Sequence, residues 1–352
     1  MITSARLQHL RSYDDASFEF GPGVNIVLGP NASGKTSLLE SVIVALDGKS
    51  YKARDFELVQ TGAPWSRIDV TSEDHERVCK LIAQPDDTIQ KEFVVDGANF
   101  KRLSYQKRFP VVLFEPNHLS LFHGSPDERR TYLDEILSRS SPVYGTQLRH
   151  YRRVLAQRNS LLKQPKRPTN EQLFVWNIRL SELGGQIATE RIKLLASYNE
   201  RISGLYSEIA GKETSVELTY VSPIDKAQYE SHLLHALEQS VARDYERGFT
   251  GFGPHREDMS AAINGASAAS AASRGEIRTL VLALKMLEAD VIESATGKRP
   301  VLFLDDVFSE LDGLRRQALV QFLAPYQSFI TTTDADVVVD HFTDKATVIA
   351  LA

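Results

Sequence analysis

The stretch GPNASGKTSLLES, residues 29 to 41, decides the fold. It fits G-x-x-x-x-G-K-[ST] through Gly29, Gly34, Lys35 and Thr36, the spacing of a phosphate-binding P-loop. Its flanks agree: Val24, Ile26 and Leu28 read as a short buried strand, and Leu38, Leu39, Val42, Ile43 and Leu46 recur at helical spacing. A strand that turns through glycine into a helix aims successive N–H groups and the positive end of the helix dipole at one anion. The pattern alone arises by chance in on the order of one chain in a hundred of this size, so the strand and helix carry much of its weight. The expected nucleotide contacts are Gly29, Pro30, Asn31, Ala32, Ser33, Gly34, Lys35, Thr36 and Ser37, with Lys35 reaching the β- and γ-phosphates and Thr36 ligating Mg²⁺. Ala32 stands where many such loops have glycine, and a negative φ is expected there.

Composition narrows the class. The chain has 352 residues, 42% of them hydrophobic, enough for two domains or one domain with a large insertion. Its longest apolar runs, such as VLFLDDVF, are broken by charge well short of a membrane span. The opening MITSARLQHLRSYDD has no apolar signal-peptide core, and the one cysteine, Cys79, excludes an internal disulfide and a cysteine metal site. A cytoplasmic protein is expected. With a net charge of −5, contact with nucleic acid requires local basic patches.

A P-loop needs an acidic partner at the end of a neighbouring strand. RPVLFLDDVFSELD, residues 299 to 312, offers Val301 to Leu304 as a central parallel strand ending in Asp305 and Asp306. Asp305 is expected to hold Mg²⁺ through water, and Asp306 to polarise the attacking water as general base, with Lys35 completing the catalytic set. Most of the chain lies between the two halves of this site. The intervening segment is helical: Ser125, Pro126 and Glu128 form a helix start, Leu148, Tyr151, Val154, Leu155, Leu161 and Leu162 share a face, and the pattern resumes from Glu171 to about Ile209. An α/β fold is expected, a P-loop ATPase head (1–115 and 247–352) with a mainly helical insertion lobe (116–246).

On this reading the chain returns to the head through a strand in TSVELTYV and a loop and strand in GFTGFGPHRED. The Ala/Ser-rich SAASAAS then reads as a flexible lead-in to a helix starting at Arg274. A serine followed by glycine at that helix N-terminus is a second anion site.

These residues, in this order, resemble the ABC-type ATPase heads of DNA repair and chromosome maintenance. ASRGE looks like their signature loop in degenerate form, through Ser273, Arg274, Gly275 and Glu276, and SELD looks like their D-loop, through Ser309 and Asp312. LRSYDD, SPDERRTYLD, GPHRED, SRGEIRTLVLALK, LFLDDVFSELD and ITTTD are similar to blocks of the RecF family of bacterial recombination mediators. The resemblance implies an ATP-sandwich homodimer in which the signature serine of one subunit meets the γ-phosphate held by the other. It implies slow, Mg²⁺-dependent ATP hydrolysis coupled to dimerisation and DNA binding. It further implies recognition of duplex and gapped DNA, cooperation with RecR and RecO, and loading of RecA on single-stranded gaps during DNA replication, DNA damage and the SOS response. No membrane partner is implied. Asp306 in place of a transporter's glutamate and Thr333 in place of its switch histidine agree with slow turnover. The rivals are another SMC- or Rad50-like ATPase, a transporter motor and a small-molecule phosphotransferase. The short insertion disfavours the first, the missing histidine the second, and the signature and D-loops the third.

Other positions stay open at this level. Tyr13 or Arg11 contacts nucleotide or forms a strand edge, and His255 and Arg256 contact nucleotide or DNA or brace the head. Gln106 and Glu115 both suit the loop coupling Mg²⁺ to the helical lobe. Arg149, Arg152, Arg153, Arg158, Lys163, Lys166 and Arg167 form either a solvated helix face or a DNA surface, with Arg149, Arg152 and Arg153 the first candidates.

Overall fold

The computed structural model describes residues 1–86, 88–333, 342 and 346–351. The chain divides into two compact units, Met1–His118 with Glu288–Ala352, and Leu119–Leu287.

The first unit is built on a five-stranded, all-parallel sheet. Its spatial order is Thr347–Ala350, Val24–Leu28, Ser328–Thr332, Val301–Asp305, Val111–Phe114. The strands Val24–Leu28, Val301–Asp305 and Val111–Phe114 are short, mostly apolar and almost wholly buried, as strands covered on both faces are, whereas Thr347–Ala350 is partly exposed. A second, antiparallel sheet of six strands follows the order Tyr13–Glu19, Ile2–Leu10, Trp65–Ser72, Glu76–Ala83, Ile89–Val95, Ala98–Phe100, and its strands alternate buried and exposed residues. The helix Lys35–Asp47 packs against strands of both sheets, and every residue in it except Thr36 is buried. That explains its sequence: a helix covered all round needs apolar residues on every face rather than one stripe. Gly34 and Gly48, both with positive φ, bound it.

The second unit holds the helices Pro126–Ser140, Pro142–Leu162, Asn170–Asn199, Ile202–Ala210, Tyr229–Gln239 and Val241–Arg247, with a three-stranded antiparallel sheet ordered Ala266–Ser267, Asp258–Ile263, Val216–Val221. Ser125 caps the first helix by accepting from Glu128 N, with Pro126 at its first turn. The pattern beginning near Glu171 is two helices, separated at Glu200 and Arg201. The longest, Asn170–Asn199, has 30 residues.

The strands Val216–Val221 and Asp258–Ile263 and the start of the helix Arg274–Thr296 cluster with the helices, and this compact unit runs from Leu119 to Leu287. The strands pair with each other and pack on the helices of that unit, which pattern reading along the chain cannot reveal. The Ala/Ser-rich segment is ordered: Ala266–Ser267 closes a hairpin with Ala262 and Ile263, and Ala268–Ala271 forms a helical turn with Ala268 fully buried. Small side chains suit that close approach.

Arg158, grouped with the solvated basic face, is completely buried instead. It donates to Asn177 Oδ1, Asp244 Oδ2 and Thr250 Oγ1, each at 2.8 Å, and to Leu237 O. Its partners come from three later segments, and a buried guanidinium is tolerated only with such complete pairing. Arg191 is a second buried hub, bound to Asp134, the Tyr144 and Tyr220 hydroxyls and Pro254 O.

Candidate functional site

Parallel pairing brings the C-terminal ends of four strands to one edge. Leu28 lies opposite Thr332, Thr331 opposite Asp305, and Leu304 opposite Phe114. The glycine loop leaves the first of these strands and Asp305 ends another. The Thr36 hydroxyl donates to Asp305 Oδ1 at 3.0 Å. Lys35, 5% exposed, spans the loop and donates to the carbonyls of Gly29 at 2.7 Å and Pro30 at 2.9 Å. A phosphate entering this loop meets an ammonium already aimed across it.

Ala32 departs from expectation: its φ is +69°. A nest of inward-facing N–H groups alternates right- and left-handed residues, and that geometry overrides the side chain's preference at a cost of about 1 kcal/mol. Gly34 is left-handed too, at φ +98°, and an added Cβ there meets the Tyr13 hydroxyl at 2.6 Å. Tyr13 lies over the loop, donating to Gly34 O at 3.1 Å. Arg11 pairs with Glu40 at 2.5 Å and reaches the Ser37 hydroxyl at 3.5 Å. Tyr13 reaches the loop from the antiparallel sheet, and Arg11, in the turn just before it, reaches the helix that follows the loop.

Asp306 follows Asp305 with a left-handed φ of +54°, its N–H held by Thr331 Oγ1 at 2.9 Å. Its carboxyl pKa is raised by burial and then by the adjacent Asp305 charge, while Lys35 and Lys52 oppose the rise. A carboxylate so placed is a better proton acceptor than a solvated one. Ser309 donates to Asp306 O at 2.8 Å, and Asp312 caps the helix Gly313–Leu323 by accepting from Arg315 N at 3.1 Å. Thr333 directly follows the strand Ser328–Thr332 and is exposed. Glu115 follows Phe114 at the same sheet edge and interacts electrostatically with Tyr51, whereas Gln106 lies exposed in the turn Tyr105–Lys107. Of the two open positions, Glu115 is the one at the site.

Sequence reading missed three residues. The Tyr51 hydroxyl donates to Asp305 Oδ2 at 2.9 Å, Lys52 Nζ lies 4.0 Å from the same oxygen, and the Thr331 hydroxyl donates to Oδ1 at 2.9 Å. Thr331 had a signal in ITTTD; the segment carrying Tyr51 and Lys52 had none.

The remaining predicted residues lie in the second unit. Ser273 is exposed at the start of the helix Arg274–Thr296, beside Arg274 and Gly275. It donates its N–H and hydroxyl to Glu276 Oε2 at 2.9 and 2.8 Å, while Glu276 N donates to Ser273 Oγ at 3.3 Å. This is a reciprocal capping box. His255 is an internal brace, 2.7 Å from the Tyr151 hydroxyl and 3.1 Å from Thr250 O, and burial lowers its pKa to about 4. Arg256 stacks on Phe249 with its guanidinium carbon 4.5 Å from the ring centre. Arg149, Arg152 and Arg153 are exposed on the helix Pro142–Leu162; Arg149 donates to Thr146 Oγ1 at 2.9 Å and Arg152 to Asp134 Oδ2 at 3.3 Å. No described helix is long and apolar enough to cross a membrane.

A parallel sheet with a P-loop at one strand end, an acidic strand two places away and a flanking antiparallel sheet is the architecture of an ABC-type ATPase head. The AAA domain profile matches residues 4–240. The chain is 36% identical to the DNA replication and repair protein RecF of Halalkalibacterium halodurans, over 97% of this chain and 95% of that one. The solved recombination mediator protein RecF-ATP of the RecFOR pathway superposes with a TM-score of 0.83 at 30% identity, covering 95% of this chain and 92% of that one. An Smc head bound to the C-winged helix domain of ScpA shares the fold at 14% identity and a TM-score of 0.53, covering 97% and 91%. The chain belongs to the RecF family of DNA replication and repair proteins.

Proposed function

We propose that this chain is an ATP-dependent, dimerising DNA-binding protein of recombinational repair, acting in the cytoplasm on duplex and gapped DNA. The observation that carries the reading is the Thr36–Asp305 hydrogen bond, which unites the glycine loop and the acidic strand in one site. Lys35 and the loop N–H groups bind the phosphates of ATP, and the solved RecF-ATP relative supports that ligand.

The donor set fits Mg²⁺. A hydroxyl beside a single buried carboxylate suits an ion that keeps most of its shell as water and phosphate oxygens, and the described residues form no cage of three or more His, Cys, Asp or Glu. When bound, the ion supplies charge neutralisation at the β- and γ-phosphates. Thr36 would hold the ion directly and Asp305 would hold it through water. Asp306 accepts the proton of the attacking water, and its short side chain keeps hydrolysis slow.

Ser273 serves the γ-phosphate of a second copy, so that ATP joins two heads, with Ser309 and Asp312 of the D-loop at the same interface. Thr333 occupies the switch position. Arg149, Arg152 and Arg153 contact DNA phosphates. Family membership supports cooperation with RecR and RecO and the loading of RecA. The head is 1–115 with 247–352 by function, because the signature segment acts with the nucleotide site. Light scattering with ATP, ADP and no nucleotide tests the reading: a dimer with ATP alone is expected, and an ATP-independent mass overturns the ATP-glue role.

A further inference from the structure

The carboxylate of Asp305 has about four lone-pair directions, and the fold occupies three of them with hydroxyl donors. Thr36 and Thr331 donate to Oδ1, at 3.0 and 2.9 Å, and Tyr51 donates to Oδ2 at 2.9 Å. The fourth direction is on Oδ2, the oxygen that Lys52 approaches to 4.0 Å. From this saturation, which rests on the nucleotide-site reading above, we infer that Tyr51 is a positioning residue. Its hydroxyl fixes the plane of Asp305 and leaves one acceptor direction for the metal-side water.

The loop that presents Tyr51 is held from below by the P-loop helix. Glu40, fully buried, accepts at Oε1 from the Ser50 hydroxyl and from Ala53 N at 3.0 Å, while Arg11 neutralises Oε2 at 2.5 Å. Ser50 Oγ in turn accepts from Lys52 N at 3.0 Å and Ala53 N at 2.8 Å. One carboxylate thus joins the helix of Lys35 and Thr36 to the backbone on either side of Tyr51. A donor anchored this way loses little freedom when the site fills, which is what positioning a charge requires. The Tyr51 ring also packs on the head core, so a purely structural role is the rival explanation.

Tyr51→Phe separates the two, because it keeps the ring and deletes only the donor. Binding of a non-hydrolysable ATP analogue is measured calorimetrically in Mg²⁺ and in EDTA, and Mn²⁺ bound with the same analogue is followed by electron paramagnetic resonance. The parent is expected to bind more tightly with Mg²⁺. Tyr51→Phe should match the parent in EDTA but lose about tenfold of the Mg²⁺-dependent gain, the size expected for one hydrogen bond to a charged group. It should also broaden the Mn²⁺ signal. An equal Mg²⁺ gain and an unchanged Mn²⁺ spectrum in the two proteins overturn the role of Tyr51 and leave the nucleotide site standing. A parent that binds no analogue in either buffer removes the nucleotide site and this inference together.

Discussion

The hydroxyl of Thr36 lies 3.0 Å from Asp305 Oδ1, although 269 positions separate them in the chain. The contact exists because the strands Val24–Leu28 and Val301–Asp305 both flank Ser328–Thr332 in parallel, so their C-terminal ends share an edge. An anion held at that edge is met by a lysine, a helix N-terminus and a carboxylate pair from remote segments.

Lys35 and Asp306 should separate binding from turnover. Lys35→Ala removes a charge-assisted phosphate contact and should weaken ATP about 30- to 100-fold, abolishing ATP-driven dimerisation. Asp306→Asn should keep ATP, trap the dimer and slow hydrolysis by about 10²-fold or more. Calorimetry, light scattering and phosphate release check the three quantities. Hydrolysis by Asp306→Asn at the parent rate would remove Asp306 from the role of base.

Ser273 should act on the nucleotide of a second copy. Ser273→Arg places a bulky cation at the exposed helix start and breaks the capping box with Glu276, a loss of about 1 kcal/mol that a long helix tolerates. The variant should bind ATP as a monomer yet not dimerise. Mixed with Lys35→Ala chains, it should recover one composite site per heterodimer, seen as restored hydrolysis in an equimolar titration. Loss of ATP binding by the Ser273→Arg monomer would sink the trans assignment.

DNA binding should be gated by ATP despite the net charge of −5. Two closed heads present twice the basic surface of one, and affinity falls with salt at a slope of about 0.9 per phosphate neutralised. Fluorescence anisotropy on a gapped duplex across a salt series should give a steep slope with ATP and a shallow one with ADP. Changing Arg149, Arg152 and Arg153 together to alanine removes three such side chains from each head and should flatten the ATP slope by up to about six phosphates' worth. Asp134 keeps Arg191 as its buried partner in that variant, so the helices should stay folded. Identical slopes in the two nucleotide states would end the gating idea.

Acid should destabilise the helical unit through His255. Its pKa falls from the ordinary 6.5 to about 4, chiefly by burial, with Arg256, Arg130 and Arg158 adding repulsion against its protonated form. The folded state therefore favours neutral imidazole. Its contribution is complete above pH 6.5 and is lost as pH falls from there through about 4, where the unfolded chain binds the proton more readily. The whole window is worth roughly 3 kcal/mol. Urea unfolding at stepped pH should show that slope, and His255→Gln should flatten it. A parent whose stability is level between pH 6.5 and 4.5 would contradict the burial of a neutral His255.

The P-loop and the acidic strand were legible because each is local. A run of inward-facing N–H groups needs glycine at set spacing, and a strand buried on both faces needs an apolar run. The order of the motifs also carried the family, since each block keeps its residues whatever lies between. The φ of Ala32 was misread because side-chain preference was weighed without the curvature that a phosphate nest imposes. Arg158 was misread because its partners Asn177, Asp244 and Thr250 come from later segments, and helical spacing cannot distinguish a solvated guanidinium from one fully paired inside. Tyr51 sits in a segment with no motif and acquires its place only when Glu40 fixes the loop and the sheet brings Asp305 beside it. Contiguous residues determined the chemistry available to this protein. Long-range packing decided which side chains meet that chemistry, because burial and hydrogen-bond geometry depend on segments that the linear order keeps apart.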